Sequence, residues 1–163
     1  MVDVPRPEPG RGQILVRVRY SSVTSGDVNL RRMSRLVLSA IGLLFGFKPM
    51  TIAGVEFAGD VVGLGEGADR FRVGDAVVGT CTGMRHGANA EYVVVPERGR
   101  LNVVAPKPAD LSYRDAVAAI VGPMTAQQIL RPDRIEPGDR VLIYGASGSV
   151  GSFAVQFAVI AGA

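Results

Sequence analysis

Gly145, Gly148 and Gly151 stand three residues apart in the stretch VLIYGASGSVG, residues 141 to 151. Val141 to Tyr144 is a short β-branched and aromatic run of the kind that fits a covered parallel strand. Ser152 to Ala161 is almost wholly apolar or small. The order predicts a buried strand, a glycine-rich turn and a helix N-terminus. Such a junction suits a pyrophosphate: free backbone N–H groups point out of the helix start, the dipole favours negative charge, and missing Cβ atoms let phosphates approach closely. The candidate binding residues are therefore Gly145, Ala146, Ser147, Gly148, Ser149, Val150 and Gly151. The GxxGxxG spacing departs from the GxGxxG of the usual dinucleotide fingerprint, and a tight turn without a ligand is the alternative reading.

Twelve residues follow Gly151. A dinucleotide-binding βαβ unit needs ~30 residues, and the residue that reads the ribose lies ~20 beyond the glycines. The sequence therefore reads as one domain plus the opening of a second, cut within its first helix. At 163 residues, 47% hydrophobic and 20% charged, it has the composition of a soluble globular chain able to bury a core. The net charge is only +3. Arg31, Arg32 and Arg35 cluster without interleaved aromatics, which fits a solvated face rather than a nucleic-acid surface. A single cysteine, Cys81, excludes an internal disulfide framework. Met1 is followed by the acidic, proline-rich VDVPRPEPG with no signal-peptide run, and the lipophilic window Leu36 to Phe47 is too short to span a bilayer. The expectation is a cytoplasmic protein without membrane or nucleic-acid partners.

The elements that would position the glycine turn follow from periodicity. Gln13 to Tyr20 alternates Ile14, Val16, Val18 and Tyr20 against Arg17 and Arg19, the pattern of a half-buried strand. Thr24 to Arg32 reads as a turn leading into a short helical segment. Short strands are predicted over Glu56 to Leu64, Ala76 to Thr80, Ala90 to Val95 and Leu101 to Val104, which suggests a compact β-barrel or sandwich. The period then changes. Ser112 and Asp115 have capping-box spacing ahead of a helix, Pro123 to Leu130 predicts a second helix, and Glu136 to Asp139 a turn.

Three ordered stretches resemble the medium-chain dehydrogenase/reductase superfamily. They are GVEFAGDVVGLGEGADRFRVGDAVVG (Gly54 to Gly79), GANAEYVVVPE (Gly87 to Glu97) and EPGDRVLIYGASGSVGSFAVQFA (Glu136 to Ala158). GPMTA, Gly122 to Ala126, resembles the helix start beside the nicotinamide and makes Thr125 a cofactor-binding candidate. The resemblance implies a mainly β GroES-like barrel domain over residues 1–120, with its first strands missing. It implies the start of an α/β Rossmann NAD(P)-binding domain, truncated, over residues 121–163.

Zinc-dependent members of that superfamily use a cysteine in the early turn and a His-Glu pair before the glycine strand. Here the early turn is SSVTSGD, Ser21 to Asp27, and Val55 precedes Glu56. Cys81 and His86 are the only thiol and imidazole, so a four-ligand site has no ligand set and no metal is assigned. The chain looks like the zinc-independent quinone oxidoreductase branch and its enone-reductase relatives. That implies hydride transfer from NADP or NAD, with NADP favoured by the resemblance, to a quinone, enone or aldehyde. Thr24 stands where relatives carry an asparagine and is the candidate for the nicotinamide or substrate vicinity. Tyr20, Tyr92, Tyr113 and Tyr144 are each candidates for a proton donor, but Tyr20 and Tyr144 fall in strand patterns and are expected to pack; no catalytic side chain is assigned. The resemblance allows a homodimer. The alternatives are a non-catalytic nucleotide-binding or GroES-like structural module, and a zinc-containing alcohol dehydrogenase that the absent ligands disfavour.

The full-length protein is expected to carry no stoichiometric metal. Elemental analysis finding about one zinc per chain would overturn this and revive the alcohol dehydrogenase alternative. Residues 1–163 alone are expected to show no oxidoreductase turnover and to bind NADPH weakly if at all. Calorimetric titration giving low-micromolar binding, with turnover of a simple quinone, would show that the stretch holds more of the site.

Overall fold

Apolar and charged residues divide between the two faces of the first strand, and the sheet is built on that division. The computed structural model describes residues 3–32, 44, 52–81, 87–99 and 102–163. Arg35, His86, Leu101 and nearly all of the window 36–47 lie outside them. The chain divides into two compact units, Met1–Val117 and Ala118–Ala163.

The first unit holds β1 (Gln13–Ser21), α1 (Ser25–Arg32), β2 (Glu56–Leu64), β3 (Ala76–Thr80), β4 (Tyr92–Pro96) and β5 (Val104–Pro106), followed by α2 (Tyr113–Ala118). The strands form one five-stranded sheet in the order β4-β1-β2-β3-β5, antiparallel at every pairing. Ile14 pairs with Leu64 on one side and Val95 on the other, so β1 is the inner strand between β4 and β2. The ladder of β1 with β2 shifts register after Leu15 and again after Val18, the bulge pattern that bends a strand and tightens its twist.

One face of this sheet is the core. Ile14, Val16, Phe57, Val61, Val77, Val93, Val95 and Val104 are buried in one cluster with Phe71, Cys81 and Ala88. β-Branched side chains dominate because they fit the pleated, covered surface. On the other face Asp60 of β2 accepts hydrogen bonds from Arg19 Nε at 2.7 Å and Arg17 Nη2 at 3.3 Å. The phenol of Tyr113, first residue of α2, also donates to Asp60. Burial pushes the Asp60 carboxyl up, but Tyr113, Arg19 and Arg17 outweigh it and hold the group below its ordinary value.

Strand and helix expectations mostly held, with β2 and β3 at the expected bounds. The fourth and fifth strands lie later than their patterns suggested. β5 pairs with β3 over Val104–Pro106, and Val103 reaches Thr80 through 2.8 and 3.2 Å hydrogen bonds before the strand begins. Ser112 caps α2 as its spacing implied: its hydroxyl accepts the Asp115 N–H at 3.1 Å and donates to that carboxylate at 2.6 Å.

The second unit contains α3 (Val121–Leu130), a 3-10 turn (Pro132–Arg134) and α4 (Ser149–Ala161). Gly122 of α3 is buried against α4; a Cβ there would fall 2.5 Å from Ser149 Oγ and 3.3 Å from the Phe153 ring. α4 turns Gly151, Ala154 and Ala158 inward, and ends in a Schellman motif in which Gly162 and Ala163 donate to Val159 and Ala158. Among the described residues no helix is long and apolar enough to cross a membrane.

The expectation of a buried strand over Val141 to Tyr144 is corrected. These residues pair with no strand, and Leu142 and Tyr144 are 95% and 102% exposed. A parallel strand exists only where neighbouring strands accept its hydrogen bonds, and β-branched composition supplies preference without a partner.

Glu97 joins the end of β4 to the loop before Phe71. At 2% exposure its Oε2 accepts the Asp69 N–H at 3.0 Å and the Arg70 N–H at 2.8 Å, while Arg98 donates to Oε1. Glu97→Ala should cost about 1–3 kcal/mol in urea unfolding, since it removes a buried acceptor shared by two backbone donors. Arg98→Ala, at a 62% exposed side chain, should cost under about 1 kcal/mol. Equal losses for the two variants would refute this division.

Candidate functional site

In the second unit the glycine motif makes a tight turn onto α4, and its three glycines serve different ends. Gly145 has a φ of +77°, a conformation L side chains rarely adopt. Gly151 is buried in the first turn of α4, where a Cβ would lie 2.2 Å from the Gly145 carbonyl oxygen and 2.7 Å from Ala146 Cα. A side chain is strained by the backbone at Gly145 and has no room at Gly151. Gly148 is the N-cap, with φ −78° and ψ 168°, and a Cβ there would meet nothing nearer than the Gly145 oxygen at 3.4 Å. The fold itself would accept a side chain at Gly148.

The turn is closed by the Gly148 N–H donating to Gly145 O at 3.0 Å, and the helix starts with Ser152 N–H to Gly148 O at 2.9 Å. The N–H groups of Ser149, Val150 and Gly151 have no acceptor within the helix. No side chain caps this end and no acidic residue stands in its first turn. Ala146, Ser147, Gly148 and Ser149 are exposed around it. Partial positive charge is thus presented to solvent by bare backbone, a setting in which an anionic oxygen is stabilised. Thr125 lies half-buried in α3, the helix that packs on α4 through Gly122.

In the first unit the early turn is organised by Asp27. Its carboxylate accepts the Thr24 N–H at 2.8 Å, the Thr24 hydroxyl at 2.9 Å and the Gly54 N–H at 2.8 Å. The first two bonds, with a weak return from the Asp27 N–H to Thr24 Oγ1 at 3.4 Å, cap α1. The third ties α1 to the segment before β2. Burial raises the Asp27 carboxyl, yet the bonds from Thr24 and Gly54 outweigh it and leave the group below its ordinary value. The Thr24 hydroxyl proton is therefore committed to Asp27. Beside this turn Ser22 donates to the buried Glu56.

The Thr24–Asp27 cap was not read from the sequence, although its spacing repeats that of Ser112 and Asp115 and could have shown it. Glu97 and the Ser22–Glu56 pair were not legible, because their partners stand 27 or more residues away. Cys81 is buried at a strand end, and burial pushes its thiol up to about 12, which keeps it protonated at neutral pH and disfavours nucleophilic attack. Among the described residues no group of three or more His, Cys, Asp or Glu side chains could hold a metal ion. The phenols differ from expectation. Tyr144 is fully exposed and does not pack, while Tyr20 is half covered at 49% exposure. Tyr92 lies under the Arg6 guanidinium at 4.3 Å, and Tyr113 is held protonated by its bond to Asp60, with its pKa raised.

Residues 10–109 match the alcohol dehydrogenase GroES-like domain. This chain belongs to that family. Its GroES-like unit carries the sheet, the Asp27 network and the Glu97 tie described above. A chloroplastic quinone oxidoreductase of Triphysaria versicolor is 31% identical over 163 residues, covering 96% of this chain and 46% of the relative. A crotonyl-CoA reductase of Streptomyces avermitilis is 31% identical over 197 residues, covering 99% and 43%. The crystal structure of Escherichia coli quinone oxidoreductase complexed with NADPH superposes with a TM-score of 0.78 at 26% identity, covering 99% of this chain and 45% of that one. The chain spans about half the length of the curated relatives it matches.

Asp27→Asn should destabilise the GroES-like unit by about 1–3 kcal/mol at neutral pH, through loss of a charged acceptor shared by three donors. A carboxyl held below its ordinary value contributes stability above the unfolded-state pKa and loses it as pH falls through the folded one. The gap between wild type and variant in urea midpoint should thus be full above about pH 5 and shrink below about pH 4. A gap that stays constant from pH 3 to 7 would show that the carboxylate charge contributes nothing.

Proposed function

We propose that this chain forms part of an NAD(P)H-dependent oxidoreductase that delivers hydride to a quinone or to a C=C bond conjugated with a carbonyl, without a metal. In this reading the first unit is the GroES-like catalytic domain and the second is the start of the nucleotide-binding domain. The observation that carries it is the start of α4. Gly145 and Gly151 are required by backbone geometry, whereas Gly148 is left open by the fold and stands at an uncapped helix N-terminus. An anion approaching that end explains why position 148 lacks a side chain.

In this reading the N–H groups of Ser149, Val150 and Gly151, with Gly145 to Gly148 as the floor, hold the pyrophosphate. Within the second unit Thr125 belongs to the nicotinamide vicinity; Thr24 of the first unit is a candidate by resemblance alone. The nicotinamide supplies the hydride, and the protein supplies binding, orientation and exclusion of water. The Thr24 hydroxyl already donates its hydrogen bond to Asp27, so towards a ligand it can act only as an acceptor. Conjugation within the acceptor provides the electrophilicity that a metal supplies elsewhere. Val55 before Glu56 and the buried Cys81 support the metal-free form. The names of the relatives, quinone oxidoreductase and crotonyl-CoA reductase, support the acceptor class, and the NADPH complex supports the cofactor.

Gly148→Ser separates this reading from a ligand-free turn. Serine is a preferred N-cap residue and fits the observed backbone, so the melting temperature should hold or rise by a few degrees. NADPH affinity of the whole protein, followed by nicotinamide fluorescence, should fall about tenfold or more because the side chain occupies the phosphate's path. Unchanged affinity in a stable Gly148→Ser protein would refute the assignment.

A further inference from the structure

No further inference is drawn: the strongest candidate, the exposed apolar face that Val155, Val159 and Ile160 present on α4 in the second unit, carries nothing because nothing in the structure shows what covers it.

Discussion

A carboxylate taken out of water must be met by donors, and this requirement holds the first unit together beyond its apolar core. Asp27, Asp60 and Glu97 each sit where a loop or helix meets the sheet. Asp27 joins the start of α1 to Gly54 before β2; Asp60 joins β2 to Arg17 and Arg19 of β1 and to Tyr113 of α2; Glu97 joins the end of β4 to Asp69 and Arg70. Among the described residues no buried side-chain polar atom is left without a partner. The hydrophobic face gives the sheet its driving force, which is not directional. The carboxylates give direction, because a shared acceptor fixes which N–H groups lie beside one another.

The same economy of backbone donors operates at α4 with the opposite outcome. At α1 and α2 a hydroxyl and a carboxylate three residues apart close the helix start. At α4 the cap is a glycine, no side chain caps the start and no acidic residue stands in the first turn. α3 also starts without a side-chain cap, at Ile120, so what sets α4 apart is the glycine at its cap and the tight turn that leads into it.

A short apolar run and a strand are different things, as Val141 to Tyr144 makes plain. The run has the composition of a covered strand, yet Val141, Leu142 and Tyr144 are exposed and it pairs with no strand among the described residues of a chain that spans about half the length of its relatives. β1 and β2 carry no stronger local preference, but each finds antiparallel neighbours on both sides. Pairing is a property of the sheet and not of the segment.

By itself the amino-acid sequence determined the strand bounds of β2 and β3, the alternation of β1, the cap of α2, the glycine turn and the family resemblance carried by three ordered stretches. These are legible because they depend on neighbours a few residues apart: period-2 burial, capping spacing, and turns that only glycine can make. The tertiary structure decided what depends on groups far apart in the chain. It placed Glu97 under two backbone N–H groups from 27 and 28 residues away, brought the Gly54 N–H onto Asp27 from 27 residues away, and buried Cys81 until its thiol rose to about 12. It also separated the three glycines into two that the backbone requires and one that it does not. Local pattern fixes which conformations a segment prefers, whereas burial and hydrogen-bond partnership are set only when distant segments meet.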